Sequence, residues 1–537
     1  MELDAAGQPE VRGRIVMLVD NAVNGDSRVQ KIARSAAEAG WTVTLLGRSP
    51  DKEEHTWQLG QAEVRLLPVS NTLSTRPHQL RRNWLRAPLG YPPNGAAALR
   101  SQQVKAWRAD LRVRRIELDM QASAGKPVGV RRQMLRAESF AVRAVGRWVR
   151  FRRGQSHRAR DARQRLDGPW DRLYTRFWQS ATGDRSWRRL EPALWDWELS
   201  FGKVVDRLKP DLIHAHDFRM IGVGARAVLR ARSAGRTVKL VWDAHEFLPG
   251  IRPRRDDERW MPAHCAHERE YAPYADAVLT VSSGLAEWLQ ERHGLAKLPD
   301  VVLNAPGKLD SFVDLDESTP NLRTLCGIDD VTPLLVYSGA AAEQRGMATM
   351  VEALPHLGDA HAAFVVNSPS GRYVQGLVAR AEELGVADRM HVLPYVAHHQ
   401  VVSFLSAATL GVIPIHHWPN HEIALITKFF EYSHARLPMV VSDVKTMAAM
   451  VRETGQGEVF TAEDVTDFIR AVRAVLADPE RYRAVYDRPG LLEGWTWEAQ
   501  AQVLEQVYSR LLPDRPAPPR AADPDVETTS LSIGMAR

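Results

Sequence analysis

Cysteine is nearly absent from this chain of 537 residues: Cys265 and Cys326 are the whole complement. Two thiols at that spacing make no disulfide framework, which excludes a stapled secreted scaffold and points to a reducing compartment. Long apolar runs are missing too, none approaching the ~20 residues that span a bilayer. The opening stretch, Met1 to Val11, carries Glu2, Asp4 and Glu10 and no apolar core, so no secretory signal is expected. The expected location is the cytoplasm, soluble or peripheral on the inner face of the cell membrane. Acidic residues are scarce in one place. Between Arg76 and Arg189 there are 8 of them against 28 Lys and Arg, so this block stands near +20, the remainder near −14 and the whole chain at +6.

What is present is a repeated alternation of short strands and helices, and the length suits two or more domains at roughly 150 residues each. Ile15 to Val19 reads as a strand, Asp20 to Asp26 as a loop, and Val29, Ile32, Ala33 and Ala36 as the buried face of a helix that stops at Gly40. A second strand, Thr42 to Leu46, completes a βαβ unit, which requires a parallel sheet. Further strands are expected at Leu212 to Ala215, Lys239 to Trp242 and Ala277 to Val281. The alternation lapses through 311–332, a linker by composition. It restarts with Leu334 to Tyr337, Ala363 to Val366, His391 to Leu393, Gly411 to Ile413 and Met439 to Val441. The reading is an α/β chain with two Rossmann-like doubly wound domains facing across a cleft. The first spans 12–310, with a basic helical insertion at about 76–190, and the second spans 333–490. A closing helix follows at 491–512, and 513–537 is a tail too poor in apolar residues to order itself. Ligands in such sheets bind beyond the carboxyl ends of the strands.

The most informative stretch is Thr427-Lys428-Phe429-Phe430-Glu431-Tyr432. Lys428 and Glu431 share a helical face, and the free amides of a first helical turn favour an anion. A phosphate on Lys428 and a ribose hydroxyl on Glu431 fit the spacing; a plain surface Lys/Glu pair fits it as well. After the strand ending at Tyr337 comes Ser338-Gly339-Ala340-Ala341-Ala342-Glu343-Gln344-Arg345-Gly346. Here Gly339 permits close backbone approach and Arg345 can fork onto phosphate oxygens, unless it is an ordinary loop arginine.

Taken in order, these motifs resemble glycosyltransferase family four, which has the GT-B fold. The second half matches through Gly339, Arg345 and Gly346, then Lys428, Glu431 and Tyr432, then Leu437-Pro438-Met439-Val440-Val441-Ser442-Asp443, and Trp495-Thr496-Trp497-Glu498 running to Tyr508. The first half matches through Asp26-Ser27-Arg28-Val29, Pro210 to Asp217, Trp242-Asp243-Ala244-His245-Glu246, Ala275 to Ser282 and Leu303-Asn304-Ala305-Pro306. The likeness covers about Arg14 to Leu67 and Ala193 to Leu512. It implies a retaining, nucleotide-sugar-dependent transferase acting on a hydroxyl acceptor, such as a cell-envelope or exopolysaccharide glycan or a lipid-linked intermediate. Gly339, Arg345, Gly346, Thr427, Lys428 and Glu431 would hold the donor, with Arg345 and Lys428 on its diphosphate and His245 toward the transferred sugar. Fixed cations stabilise a leaving diphosphate without a metal, so neither cofactor nor metal is expected. The Asp-x-Asp runs, Asp314-Leu315-Asp316 and Asp523-Pro524-Asp525, fall in the linker and tail and are discounted.

The family commonly carries a second glutamate eight positions before Glu431. Here that position is Ile423, with Glu422 one residue out of register, and Ala340 stands where an arginine is common. A non-catalytic binding or scaffold protein therefore stays open. Asp26, Ser27, Arg28, Glu246, His421 and Glu422 are candidate sugar or acceptor contacts, although Asp26 also suits a plain N-cap. His214 and His216 can simply fill the cleft wall, and His264-Cys265-Ala266-His267 lacks a second cluster to complete a metal site. The basic block interleaves arginines with Trp84, Trp107, Trp148, Phe151 and Trp170, and Ser139 to Arg153 suits a helix with apolar and basic faces. That pattern fits an anionic membrane surface; nothing accompanies it that marks nucleic-acid recognition.

Overall fold

The helix Ser27–Glu38 illustrates how the pattern folds. Asp26 caps it by accepting the Val29 amide at 3.2 Å, and Val29, Ile32, Ala33 and Ala36 all turn into the core at the three-four spacing of one helical face. Gly40, at φ +90°, then turns the chain into the next strand. This computed structural model describes residues 12–74, 89–91, 96–164, 166–251, 257–307 and 320–515. Met1 to Val11, Arg76, Trp84, both Asp-x-Asp runs, 311–319 of the linker and the tail beyond 515 lie outside the described residues.

The chain forms two compact units, one of residues up to 70, 194–252 and 264 onward, the other of 71–193 and 253–263. The first unit holds both sheets. Its eight-stranded sheet comprises β1 (Arg14–Leu18), β2 (Thr42–Arg48), β3 (His55–Leu59), β4 (Ala62–Leu67), β5 (Leu212–His216), β6 (Lys239–Asp243), β7 (Ala277–Thr280) and β8 (Asp300–Val301). The order is β3-β4-β2-β1-β5-β6-β7-β8, parallel throughout except for the β3–β4 hairpin. Its six-stranded sheet is wholly parallel: β9 (Leu334–Ser338), β10 (His361–Val366), β11 (Met390–Pro394), β12 (Leu410–Ile413), β13 (Met439–Ser442) and β14 (Gly457–Phe460), ordered β11-β10-β9-β12-β13-β14. In each sheet the order reverses beside the first strand, at β1/β5 and at β9/β12. These reversals open the crevices where ligands of doubly wound sheets sit.

The expected strands are all present within a residue or two of the expected bounds. Four others carry weaker patterns: β3 and β4 alternate as a half-exposed edge hairpin, β8 has two residues, and β14 begins with Gly457. Residues 320–332, assigned by composition to the linker, contain the helix Leu322–Cys326. Asn321 caps it, and Leu322 and Cys326 are buried in the core under β9. Burial pushes the Cys326 thiol up to about 11, an inert side chain rather than a nucleophile.

The closing helix, Trp497–Leu511, belongs to the core of the eight-stranded sheet. Trp497, Leu504, Val507 and Tyr508 pack with Ile15, Val29, Leu45 and Leu212. The Trp497 indole donates to Ser35 Oγ at 2.8 Å, and the Tyr508 hydroxyl pairs with His214 Nδ1 at 2.6 Å.

The second unit is a hairpin of the helices Ala96–Ser123 and Gly129–Gln164, with Pro169–Thr182 after it. It is larger than the basic block, because residues 257–263 join it: Arg259 pairs with Asp171 at 2.6 Å, and Leu166 bridges Asp257. Among the described residues no helix is long and apolar enough to cross a membrane.

Removing the Trp497 ring leaves a cavity that the surrounding sheet cannot collapse into. Trp497→Ala is expected to destabilise the first unit by about 3–5 kcal/mol, read as a lower midpoint in denaturant unfolding.

Candidate functional site

In the six-stranded sheet, two cations converge beyond the carboxyl end of β9. Gly339 follows the strand at φ +145°, and a β-carbon there would lie 1.9 Å from Lys428 Nζ. The glycine therefore makes room for the lysine, whose ammonium also rides 4.9 Å above the Tyr337 ring. The helix that carries it, Thr427–His434, is fixed by Tyr432: its buried hydroxyl accepts the Ser338 amide at 2.9 Å and donates to the Val336 carbonyl at 3.2 Å. Arg345 sits in the short turn Glu343–Arg345. Gly346 holds that turn against β12, at φ +71°, and a β-carbon there would be 1.7 Å from the Pro414 carbonyl oxygen.

Burial lowers the Lys428 ammonium to about 7, and the charge of Arg345 adds to the effect while Glu431 opposes it. Neither Lys428 nor Arg345 has an ion pair among the described residues. Two cations this close, with only the Glu431 charge acting against them, are an arrangement that an anion relieves.

The eight-stranded sheet is organised around a buried carboxylate. Asp243 ends β6 and receives both arms of the Arg28 guanidinium, Nε at 2.9 Å and Nη2 at 2.7 Å. Arg28 Nη1 donates to the Val302 carbonyl at 2.6 Å. His216 Nδ1 is 3.0 Å from Asp243, and His245 Nδ1 stands 3.5 Å away, an ion-pair distance rather than a good hydrogen bond. Burial would raise the Asp243 carboxyl, but Arg28 above all holds it well below the usual range. Burial would likewise lower His245, yet Asp243, with Asp217 behind it, raises the imidazole to about 10. Asp243 and Asp217 thus favour the protonated form of His245. Asp217 opens the helix after β5 at φ +67°; burial, with Asp20 and Glu246 nearby, pushes it up to about 7 against the pull of His245.

A cleft of about 590 Å³ joins the two sheets. Its walls are Asn21 and Asn24 to Arg28 after β1, His245 and Glu246 after β6, Val281 after β7, Asn304, and Leu425 to Thr427 ahead of Lys428. Asn304 Nδ2 donates to Thr427 Oγ1 at 3.3 Å across it. Thr427 is the member of the donor set that lines this cleft; Lys428 follows it directly in the chain.

Two family models match this chain. "Glycosyltransferase Family 4" covers residues 154–305 and "Glycosyl transferases group 1" covers 321–488, the two stretches that contribute the cation pair and the cleft walls apart from the loop after β1. The chain belongs to glycosyltransferase family four. Relatives include a D-inositol 3-phosphate glycosyltransferase of Xylanimonas cellulosilytica, 27% identical over 47% of this chain and 60% of its own. Another, D-inositol 3-phosphate glycosyltransferase 1 of Catenulispora acidiphila, is 27% identical over 56% of this chain and 72% of its own. The chain spans about six-tenths of the first relative's length. Among solved structures, sucrose-phosphate synthase of Thermosynechococcus elongatus superposes with a TM-score of 0.58 at 15% identity, covering 94% of this chain and all of that one. Anabaena HepE, solved with UDP and glucose, does so at 0.54 and 14%, covering 93% of this chain and all of that one. At such identities these likenesses show the GT-B fold.

In this family-four chain several of the residues singled out from sequence turn out to be committed to the protein. Arg28 lines the cleft but spends its guanidinium on Asp243 and Val302, because an unpaired buried carboxylate would be too costly. It frames the site rather than reaching into it. Asp26 is the N-cap, with its other oxygen accepting Asn21 Nδ2 at 2.7 Å; Ser27 and Glu246 remain on the cleft wall. Glu422 does not replace the glutamate missing at Ile423. Its carboxylate accepts the Lys445 amide at 2.9 Å and meets His417 Nδ1 at 2.6 Å, while His417 Nε2 meets Asp443 at 2.9 Å. The Ile423 carbonyl accepts the Ser282 hydroxyl at 2.5 Å. His421 is buried, bonded through Nδ1 to the His416 carbonyl at 2.7 Å, and burial lowers its pKa. His264 packs edge-on to Phe218 and His267 Nδ1 meets the Phe218 carbonyl at 3.1 Å, so that pair serves packing. His214, His216 and Asp243 lie close enough to hold an ion, but Arg28 already satisfies the carboxylate and the two Nδ1 atoms are engaged.

The sequence named Asp217 only as the end of the Pro210 to Asp217 run and not for its buried place beside His245; a carboxyl following two histidines at a strand end was the available signal. For Arg28, truncation strands the Asp243 charge. Arg28→Met is expected to cost about 3–5 kcal/mol, measured by chemical denaturation, and Arg28→Lys to recover only part of it because it cannot fork.

Proposed function

We propose that this protein is a retaining glycosyltransferase, moving a sugar from a nucleotide diphosphate to a hydroxyl acceptor. One observation carries the reading: two cations without an ion pair among the described residues, Lys428 and Arg345, meet at the reversal point of the six-stranded sheet, and Lys428 follows Thr427 of the cleft wall. On this reading the donor diphosphate lies on Lys428, Arg345 and the first-turn amides of Thr427–His434, and Glu431 accepts from a ribose hydroxyl. The sugar then points across the cleft toward His245. As the bond between the anomeric carbon and the diphosphate oxygen breaks, charge gathers on the leaving phosphate, where the fixed cations are worth most. The acceptor oxygen bonds to the anomeric carbon on the face the phosphate leaves, and its proton passes to the departing phosphate oxygen. The His245 imidazolium donates a hydrogen bond to a sugar hydroxyl or to that oxygen. The charge is supplied by side chains, so transfer is expected to persist in a chelator. UDP-sugars are the first donors to try, since the structural neighbour HepE was solved with UDP and glucose. A cell-envelope, exopolysaccharide or lipid-linked acceptor is proposed, with the basic insertion holding the enzyme at the inner face of the membrane.

Lys428→Ala is expected to lower donor hydrolysis and transfer by at least about a hundredfold, the scale of losing an oriented charge at the leaving group. Glu431→Ala is expected mainly to raise the donor KM. Full activity in both variants would refute the site. The lowered Lys428 value adds a pH signature. Diphosphate favours the protonated lysine, so UDP binding should take up a proton and weaken as pH rises through about 7. Calorimetry in buffers of differing ionisation enthalpy reads this directly, and Lys428→Arg should flatten it.

Ile423 sustains a second reading, a binding protein that holds a nucleotide sugar without turnover, because no carboxylate replaces the absent glutamate. Incubation with UDP-, GDP-, ADP- and TDP-sugars separates the two: release of free nucleotide supports the transferase, and binding without release supports the scaffold.

A further inference from the structure

We infer that the groove along the helical hairpin Ala96–Ser123 and Gly129–Gln164 is a binding site for the phosphate groups of membrane lipids. The inference rests on the membrane-facing reading of the basic insertion and is independent of the transfer chemistry.

The hairpin is held by a thin apolar seam. Val104, Leu111 and Leu118 recur every seven residues on one helix, as do Leu135, Val142 and Val149 on the other, and together they form a separate small core. Beside that seam runs a groove of about 620 Å³ lined by Arg108, Arg112, Arg115, Arg132, Arg136 and Arg143. These arginines sit three, four or seven residues apart, so each helix presents its row to the same groove. The one carboxylate lining it, Asp119, is taken by Arg132 at 2.6 Å. A second acid on the hairpin, Glu138, is occupied by Arg114 and by the Trp107 indole. Arg112, Arg115 and Arg136 have no ion pair among the described residues. Gathering like charges along a seam this narrow works against the hairpin's stability, and a row of phosphate oxygens would relieve it with forked hydrogen bonds.

A lipid surface suits the groove better than a soluble phosphate because of what flanks it. On Gly129–Gln164 the apolar residues Val130, Met134, Ala137, Ala141, Ala144, Trp148 and Phe151 alternate at spacings of three and four on the side turned away from the seam. Val130, Trp148 and Phe151 stay 71%, 51% and 43% exposed, and the two aromatic rings stack at 5.6 Å. Helical geometry puts Arg136 and Arg143 between the seam and this apolar strip. If the strip sinks into the acyl boundary, those guanidinium groups arrive at headgroup depth. A nucleic-acid duplex would satisfy the arginines but would leave the strip in water.

The test is sedimentation of the full-length protein with phosphatidylcholine vesicles, with and without phosphatidylglycerol. The protein is expected to pellet with the anionic vesicles and to be released in part by salt, as polybasic attachment requires. Arg112→Glu, Arg115→Glu and Arg136→Glu combined should reduce partitioning by at least about tenfold, while Lys at the same positions keeps most of it. Circular dichroism and donor hydrolysis report that each variant is folded. If the triple reversal pellets like the parent, the groove is not the site although the membrane reading survives. If the parent does not pellet, both fall. If pyrophosphate or a DNA duplex displaces vesicles at lower phosphate concentration than lipid itself, the lipid source is wrong. Vesicle binding with no donor turnover would leave this inference intact and count against the transferase reading alone.

Discussion

The eight-stranded sheet depends on the accommodation of one negative charge. Asp243 is wholly buried at the end of β6, and the Arg28 fork that neutralises it comes from the helix after β1 and also ties down the backbone after β8. Three separate stretches of chain are thereby fixed relative to one another at the edge of the cleft. The same carboxylate sets the charge of His245, so the wall's architecture and its chemistry have a common origin.

The two sheets treat charge in opposite ways. Around Asp243 the buried charge is paired, by the Arg28 fork, with His216 and His245 beside it. Around Lys428 the pairing is weaker: Gly339 vacates the space, Tyr337 offers only the face of a ring, and Arg345 adds repulsion that Glu431 alone opposes. A folded chain tolerates such an imbalance where a ligand is to complete it.

Most of the fold was legible because buried parallel strands and amphipathic helices write strong periodicities. What escaped did so for physical reasons. The edge hairpin β3–β4 is half exposed, and β8 is too short to show a period. The helix Leu322–Cys326 hides among turn-formers because one cap and two buried side chains suffice to dock it. Residue type and order singled out Gly339, Arg345 and Lys428, which the fold gathers past β9, but not the packing that brings them there. Arg28 reads as a ligand contact until its partner, more than two hundred residues away, is seen beside it. Glu422 likewise looks like a displaced acid until its bond to the Lys445 amide makes it a brace. Pairings between distant segments carry no local signature.

The closing helix has a bearing on biosynthesis. Trp497, Leu504, Val507 and Tyr508 complete the hydrophobic layer that includes Ile15 and Leu45, so β1 and β2 lack that covering until the helix Trp497–Leu511 has been synthesised. The eight-stranded sheet must therefore wait for a distant part of the chain. Until then its apolar face is unfinished, which makes nascent-chain protection a requirement of this architecture.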